Sequence, residues 1–205
     1  DLSHVAPATM YDALRVADAP VLFSHSSARA LCDHPRNVPD DLLARLAANG
    51  GVCMVTFVPG FVSQEVADVW LARKAEQARL AAECPDEADA RLPAWDEAHP
   101  GPPVTVAQVA DHIDHVRDVA GVEHIGVGGD YDGVAVLPEG LEDVSRYPVL
   151  FAELRRRGYS DADLQAIAGR NVLRVLRAAE AVASDLQACR GPSLARIADL
   201  DPVAG

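Results

Sequence analysis

Three residues capable of metal or proton chemistry each follow a predicted β-strand. His4 and His25 end the first two predicted strands and lie 21 residues apart, about one βα unit, and Asp130 ends the last strand. Neighbouring parallel strands lie about 4.8 Å apart and end at the same rim of a sheet, so we expect these side chains to converge. Two neutral imidazoles at that rim suit zinc, with bonds of about 2.0–2.1 Å. Two unrelated histidines with local hydrogen bonds would fit the same spacing.

Asp130 and Arg36 could complete such a site. Asp130 follows Gly128 and Gly129, and glycines let another group approach the backbone closely. A carboxylate beside a metal could bind it, orient the attacking water or move a proton. Arg36 lies in the loop 35–39 after the second strand, where its guanidinium could bind a substrate carboxylate through two hydrogen bonds. The alternative for Arg36 is a solvated loop residue.

Two other motifs give weaker evidence for a functional site. His112 and His115 lie three residues apart on a predicted helix that also carries three aspartates, which favours a solvated charged face over a metal site. The glycines of 126–129 resemble part of a nucleotide-binding loop. They lack the full GxGxxG spacing and a helix directly after them, so this signal is weak.

Alternating short apolar runs and amphipathic helices are expected to position these residues. This alternation is typical of parallel βα units and predicts an α/β fold. The expected strands are 1–4, 20–25, 52–57 and 124–130. The expected helices are 7–17, 39–48, 104–120, 149–157, 161–168 and 172–186. An insertion at 63–103 interrupts the pattern with a long helix, 64–84, and a proline-rich surface excursion, 85–103, and a weakly patterned tail follows at 189–205.

Composition excludes several classes of protein. The 205 residues contain 18 Lys and Arg against 31 Asp and Glu, and the net charge of −13 makes a nucleic-acid partner unexpected. No apolar run approaches the roughly 18–20 residues that cross a bilayer. The four cysteines show no CxxC spacing, so we expect reduced thiols, mostly structural, and a cytoplasmic location.

Seven ordered stretches carry a resemblance to a known family. They are DLSH at 1–4, FSHSSA at 23–28, RNVPDD at 36–41, VADHIDH at 109–115, GGDYDG at 128–133, PEGLEDVS at 138–145 and NVLRV at 171–175. With these motifs the sequence resembles the renal or membrane dipeptidases, a family of zinc metallopeptidases. The resemblance implies a metal-dependent hydrolase of the (β/α)₈ TIM-barrel type, of which residues 1–188 would form the C-terminal half with four strands.

The resemblance also implies roles for individual residues. His4 and His25 would bind one zinc of a two-zinc site, and Arg36 would bind the C-terminal carboxylate of a dipeptide. Asp130 would contact the bridging water or the substrate's amino group and move the proton during attack. Phe57 and Phe61 would line the substrate pocket. The implied reaction is attack of a zinc-bridged hydroxide on the peptide carbonyl.

The sequence departs from the family in one respect. The family's N-terminal half supplies a His-x-Asp pair, a bridging glutamate and a further histidine, and none of these has a counterpart before His4. We therefore expect activity to need the missing half, and the expected partners are a dipeptide with that half or a second copy of the chain. The alternatives are a catalytically inactive barrel fragment and a related amidohydrolase that acts on lactams.

Overall fold

A three-stranded parallel sheet organises the protein. The structure, a computed structural model, describes residues 1–200, so the end of the predicted tail, 201–205, lies outside the described residues. The sheet has the order β1-β2-β3. Its strands are β1 (Leu22–Phe23), β2 (Val52–Val55) and β3 (Ile125–Val127). Leu22 pairs with Val52, and Cys53 pairs with Ile125. The predicted α/β class is therefore confirmed.

Helices surround this small sheet. They are α1 (Pro7–Val16), α2 (Asp40–Asn49), α3 (Pro59–Val62), α4 (Gln64–Glu83), α5 (Ala88–Ala98), α6 (Val106–Ala120), α7 (Tyr147–Arg156), α8 (Asp161–Gln165), α9 (Asn171–Cys189) and α10 (Ile197–Leu200). A π-helical turn, Ala166–Arg170, joins α8 to α9. No helix among residues 1–200 is long and apolar enough to cross a membrane.

The predicted fourth strand at 1–4 is wrong, because this segment does not form a strand. The Leu2 N–H does donate to the carbonyl oxygen of Leu22 at 2.9 Å, so the segment runs beside β1. Side chains make the next contacts: the Asp1 carboxylate accepts from the Ser24 N–H at 3.1 Å, and the Ser3 hydroxyl accepts from the His25 N–H at 2.9 Å. These bonds replace a continuous backbone ladder, and the sheet has three strands instead of four.

The core lies between β1–β3 and helices α2 and α6. The apolar face of α2 supplies Leu42, Leu43 and Leu46, all fully buried. Gly50 ends α2 in the left-handed conformation with φ of 80°, which turns the chain directly into β2. Fully burying each leucine contributes about 1.5–3 kcal/mol, so this face fixes how β1 and β2 are presented.

Helix α6 is fixed at its start by a capping box. Thr105 accepts from the backbone of Gln108, whose side chain in turn accepts from the Thr105 N–H at 2.9 Å. The same end of α6 pairs with the segment that follows β3, because Val106 donates to the Glu139 carbonyl oxygen and Glu139 donates to that of Val104. Helix α6 therefore anchors the segment 133–139.

The insertion at 63–103 contains more structure than its sequence predicts. The long helix predicted at 64–84 is confirmed as α4, but the proline-rich excursion contains α5, with Pro93 inside it. Arg73 of α4 donates to both carboxylate oxygens of Asp96 on α5, at 2.7 and 3.0 Å. Contact between the two helices therefore offsets the backbone hydrogen bond that the proline removes.

Candidate metal and substrate site

His4 and His25 meet at the carboxyl end of β1. Their Nε2 atoms lie 2.7 Å apart and their ring centroids 4.8 Å apart. Two ligands of one tetrahedral zinc have nitrogen atoms about 3.3 Å apart, given bonds of about 2.0–2.1 Å. A small rotation of either ring would therefore place both nitrogen atoms on a single ion.

A hydrogen-bond chain sets the tautomer of His25. The Ser24 hydroxyl donates its single proton to the Asp1 carboxylate at 2.5 Å, so it accepts from Nδ1 of His25 at 2.8 Å. The proton of His25 then lies on Nδ1, and the Nε2 lone pair points toward His4. Metal-binding histidines are oriented in this way by partners of their other nitrogen.

Asp130 lies beside this pair in a constrained backbone conformation. Its φ of 56° is left-handed, and it follows Gly128, where a Cβ would lie 1.8 Å from the Ser24 carbonyl oxygen. The close approach of β1 and the segment after β3 thus requires glycine at 128. Burial lowers the pKa of His25, and the nearby Asp130 carboxylate opposes this shift. The segment after β3 thus brings the Asp130 carboxylate into the electrostatic environment of His25.

Arg36 reaches the same region with an unused donor. Its Nε donates to the Ser3 carbonyl oxygen, and its guanidinium lies over the Phe61 ring, 5.0 Å from the centroid. Its Nη2 is buried and has no hydrogen-bond partner among residues 1–200. Burial lowers the pKa of Arg36, again opposed by Asp130. A buried donor without a partner is costly, so this nitrogen suits an anionic ligand.

The two candidate pocket phenylalanines have different surroundings. Phe61 contacts both Arg36 and His34, whose ring stacks on it at a centroid distance of 4.4 Å. Phe57 is fully buried and packs against Tyr131 and Tyr147 at centroid distances of 5.7 and 5.6 Å. Phe61 therefore borders the Arg36 donor directly, whereas Phe57 supports the segment around Asp130 from beneath.

The histidine pair fits part of a zinc site. Neutral imidazole is a preferred zinc ligand, and the tautomer of His25 leaves the required nitrogen free. Residues 1–200 contain no group of three or more His, Cys, Asp and Glu side chains that could hold a metal ion. Catalytic zinc sites use three protein ligands, and these residues could supply two of them.

Comparisons with known proteins establish the family of the chain. The sequence profile of membrane dipeptidase, peptidase family M19, matches residues 1–190. The chain belongs to the membrane dipeptidase family. It is 44% identical over 181 residues to an uncharacterized dipeptidase of Schizosaccharomyces pombe. That alignment covers 88% of this chain and 36% of that protein. It is 41% identical over 187 residues to the dipeptidase verJ of Clonostachys rogersoniana. That alignment covers 91% of this chain and 39% of verJ.

Solved structures of similar proteins extend the comparison to the fold. A metallopeptidase from Rhodobacter sphaeroides, liganded with a phosphinate mimic of L-Ala-D-Ala, superposes with a TM-score of 0.66 and is 26% identical. The match covers 87% of this chain and 41% of that one. The probable dipeptidase PvdM from Pseudomonas aeruginosa, at 24% identity, shares the fold with a TM-score of 0.76, over 89% and 50% of the two chains. This membrane dipeptidase chain thus spans less than two fifths of the length of the two curated relatives.

One family motif has a structural role that its sequence does not predict. His112 is 1% exposed, so the predicted solvated face is wrong for this residue, whereas the His115 side chain is 23% exposed. Nδ1 of His112 accepts from the Ala28 N–H at 3.0 Å, and Nε2 donates to the Val62 carbonyl oxygen at 2.9 Å. His115 instead bonds to Asp40 at 2.8 Å. His112 therefore joins α6 to the loop that follows β1 and to the last residue of α3.

The aspartates of the same helix are also engaged. Arg157 donates to Asp111 at 2.6 Å and to Asp114 at 2.7 Å, and it pairs with Glu153 as well. Arg157 lies at the end of α7. The sequence of α6 alone therefore does not reveal this partner. The charged residues of α6 thus connect two helices.

Sequence reasoning also missed Ser24 as a supporting residue of the site. Its hydroxyl links Asp1 to His25, and its carbonyl oxygen lies against Gly128. A hydroxyl directly before a candidate histidine ligand is a weak signal, since the direction of its hydrogen bond depends on the fold. The other part of the signal is Asp1, the acidic residue that accepts a hydrogen bond from Ser24.

Proposed function

We propose that this chain carries half of the active site of a zinc-dependent dipeptidase. The observation that supports it best is the convergence of the two Nε2 atoms of His4 and His25, 2.7 Å apart, next to Asp130. The buried, unpaired Nη2 of Arg36 adds a second feature that suits a substrate carboxylate. Family membership supports the reaction class.

Each residue has a proposed part in dipeptide hydrolysis. His4 and His25 would hold one zinc ion, which when bound would supply a Lewis acid that activates water near neutral pH. Arg36 binds the C-terminal carboxylate through two hydrogen bonds, with Phe61 beneath its guanidinium. Asp130 would bind the amino group of the dipeptide, accept the proton that the attacking water loses and pass it to the amine that leaves when the peptide bond breaks.

The complete site needs groups beyond these. We propose a two-zinc site in which further ligands come from the rest of a longer protein or from a second copy of this chain. Residues 1–188 are then the C-terminal half of a (β/α)₈ barrel with an insertion at 63–103, and 189–205 is a tail. The chain covers only 36% and 39% of two curated relatives, which supports the first source. The cytoplasmic location stays a prediction from the sequence.

The test uses the protein at its full natural length. Zinc per folded chain is measured by elemental analysis, and turnover is measured on a panel of dipeptides and lactams. We expect about two zinc ions and hydrolysis of dipeptides. Asp130→Asn is expected to reduce kcat at least about 100-fold with zinc content unchanged, since a positioned base contributes about 10²–10⁴-fold.

Asp132→Asn is the matched control, because Asp132 is exposed and lies two residues away. It is expected to keep wild-type turnover. Lactam hydrolysis without dipeptide hydrolysis would replace the proposal by the amidohydrolase alternative. A folded protein that binds one labile zinc or none and hydrolyses neither substrate would make it an inactive member of the family.

A further inference from the structure

A cavity of about 880 Å³ lies next to the candidate site and has no part in the chemistry described so far. Helix α4, the segment 101–104 and the segment 133–139 form its walls. Its size falls within the roughly 300–1,000 Å³ of pockets for small molecules. The insertion at 63–103 therefore builds a binding space beside the sheet rather than a detached excursion.

The walls of the cavity are mainly apolar and are held in place. The apolar lining residues include Pro59, Val66, Trp70, Val104, Val134 and Leu137. Val66 and Val104 are buried, and the Trp70 ring packs so closely on Gly60 that a Cβ there would lie 2.4 Å from it. Preorganised apolar walls favour an apolar ligand group, because little ordering is needed when it binds.

The polar side chains of the cavity leave its apolar walls uncovered. Arg73 is held by two hydrogen bonds to Asp96, so its charge is already compensated. Lys74, Gln77 and Glu139 also line the cavity, and all three are exposed to solvent. Long exposed side chains can keep their polar ends in water while an apolar group contacts the walls.

Gly133 connects the cavity to the candidate site. It lines the cavity, and a Cβ at this position would lie 2.6 Å from Oδ1 of Asp130. The Asp130 carboxylate, proposed to bind the amino group of a dipeptide, therefore lies close to a residue of the cavity wall. Arg36, proposed to bind the opposite end of the dipeptide, instead contacts Phe61 and Ser3.

We propose that this cavity binds the side chain of the N-terminal residue of the dipeptide and selects large apolar side chains. The proposal rests on the proposed function and adds a substrate class to it. The amino group at Asp130 directs the adjacent side chain past Gly133 toward Val66 and Trp70. Dipeptides that begin with leucine or phenylalanine are thus better substrates than those that begin with glycine.

The test compares kcat/KM for leucyl-glycine and glycyl-glycine in the full-length protein. The expected preference for leucyl-glycine is about 10- to 100-fold, as for burial of a leucine side chain. Val136→Asp places a carboxylate in the cavity wall at a residue that is 70% exposed, so folding is preserved. It is expected to lower the preference about tenfold, mainly by reducing turnover of leucyl-glycine.

Val16→Asp is the matched control, with the same change of charge at a 64% exposed valine outside the cavity. Ala135→Trp is a second variant, which fills the cavity and is expected to remove the preference without adding charge. Equal kcat/KM for the two dipeptides in wild type, or a preference that neither cavity variant changes, overturns the inference and leaves the dipeptidase proposal standing. Hydrolysis of neither dipeptide by the zinc-loaded protein overturns the proposed function itself.

Discussion

At the scale of single residues, the orientation of His25 depends on a hydroxyl group. Ser24 accepts from Nδ1 of His25 only while it donates to Asp1, so the three groups form one relay. Ser24→Ala removes the relay and lets His25 adopt the other tautomer, with its proton on Nε2. We expect zinc affinity to fall about 10- to 100-fold, as is typical when a supporting partner of a metal ligand is lost.

A competition titration with a chelator measures this change in the full-length protein. Ser24→Thr keeps the hydroxyl and is expected to restore most of the affinity. Unchanged zinc affinity in Ser24→Ala, with an unchanged fold, would show that the relay has no influence on metal binding.

Gly133 is the second residue whose role can be isolated. A Cβ there would lie 2.6 and 2.9 Å from the oxygen atoms of the Asp130 carboxylate, which can rotate away. Gly133→Ala is therefore expected to preserve the fold and reorient this carboxylate, which lowers kcat for dipeptides about 10- to 100-fold. Steady-state kinetics and a thermal melt check the two parts of this expectation.

Gly191→Ala is the matched control, because nothing lies within 4 Å of a Cβ at that position. It is expected to leave both turnover and melting temperature unchanged. Wild-type turnover in Gly133→Ala would mean that the orientation of Asp130 does not limit the reaction.

At the scale of elements, His112 holds α6 against the loop after β1 and the end of α3, and it makes stability depend on pH. Burial lowers its pKa from 6.5 to about 4, and protonation would turn Nδ1 into a second donor facing the Ala28 N–H. Between these two pKa values the unfolded chain binds a proton that the folded chain does not. The contribution of His112 is therefore complete above about pH 6.5 and is lost as the pH falls to about 4.

The expected loss is about 3 kcal/mol of unfolding free energy across that window. Denaturant unfolding of the protein at several pH values measures it. His112→Gln can accept from Ala28 and donate to Val62 without titrating, and it is expected to flatten this part of the pH profile. The same slope in both proteins would assign the pH dependence to other groups.

The elements also show which parts of the structure the sequence could predict. Strands β1 to β3 and helix α6 follow from local patterns, since apolar runs, caps and glycines act within a few residues of one another. The burial of His112 depends on Ala28 and Val62, which are 84 and 50 residues away along the chain. The environment of a titratable side chain is thus set by loops whose paths local patterns do not encode.

The candidate site divides in the same way. The approach of His4 and His25 could be predicted, because strand ends in a parallel sheet share one rim. The fourth strand failed because the Asp1 and Ser3 side chains, rather than the backbone, bind the residues after β1. Helix α5 was missed because Pro93 is unfavourable locally and its compensation comes from α4.

At the scale of the whole molecule, zinc is expected to fasten the segment 1–4 to the sheet. Leu2 anchors this segment in the core and hydrogen bonds join it to β1, but His4, at its end, is exposed. Metal bound by His4 and His25 would cross-link the two. A ligand that binds only the folded state at 100 times its Kd adds about 2.7 kcal/mol of stability, so removal by a chelator should lower the melting temperature of the full-length protein.

Calorimetry of the zinc-loaded and chelated protein measures this difference, and re-addition of zinc is expected to reverse it. His4→Ala and His25→Ala should each reduce the difference, because either substitution breaks the cross-link. His99→Ala is the matched control, since His99 is an exposed histidine that stacks on Trp95 in the insertion, and it should keep the full difference. A zinc-dependent shift that survives both site substitutions would mean that the stabilising metal binds elsewhere in the protein.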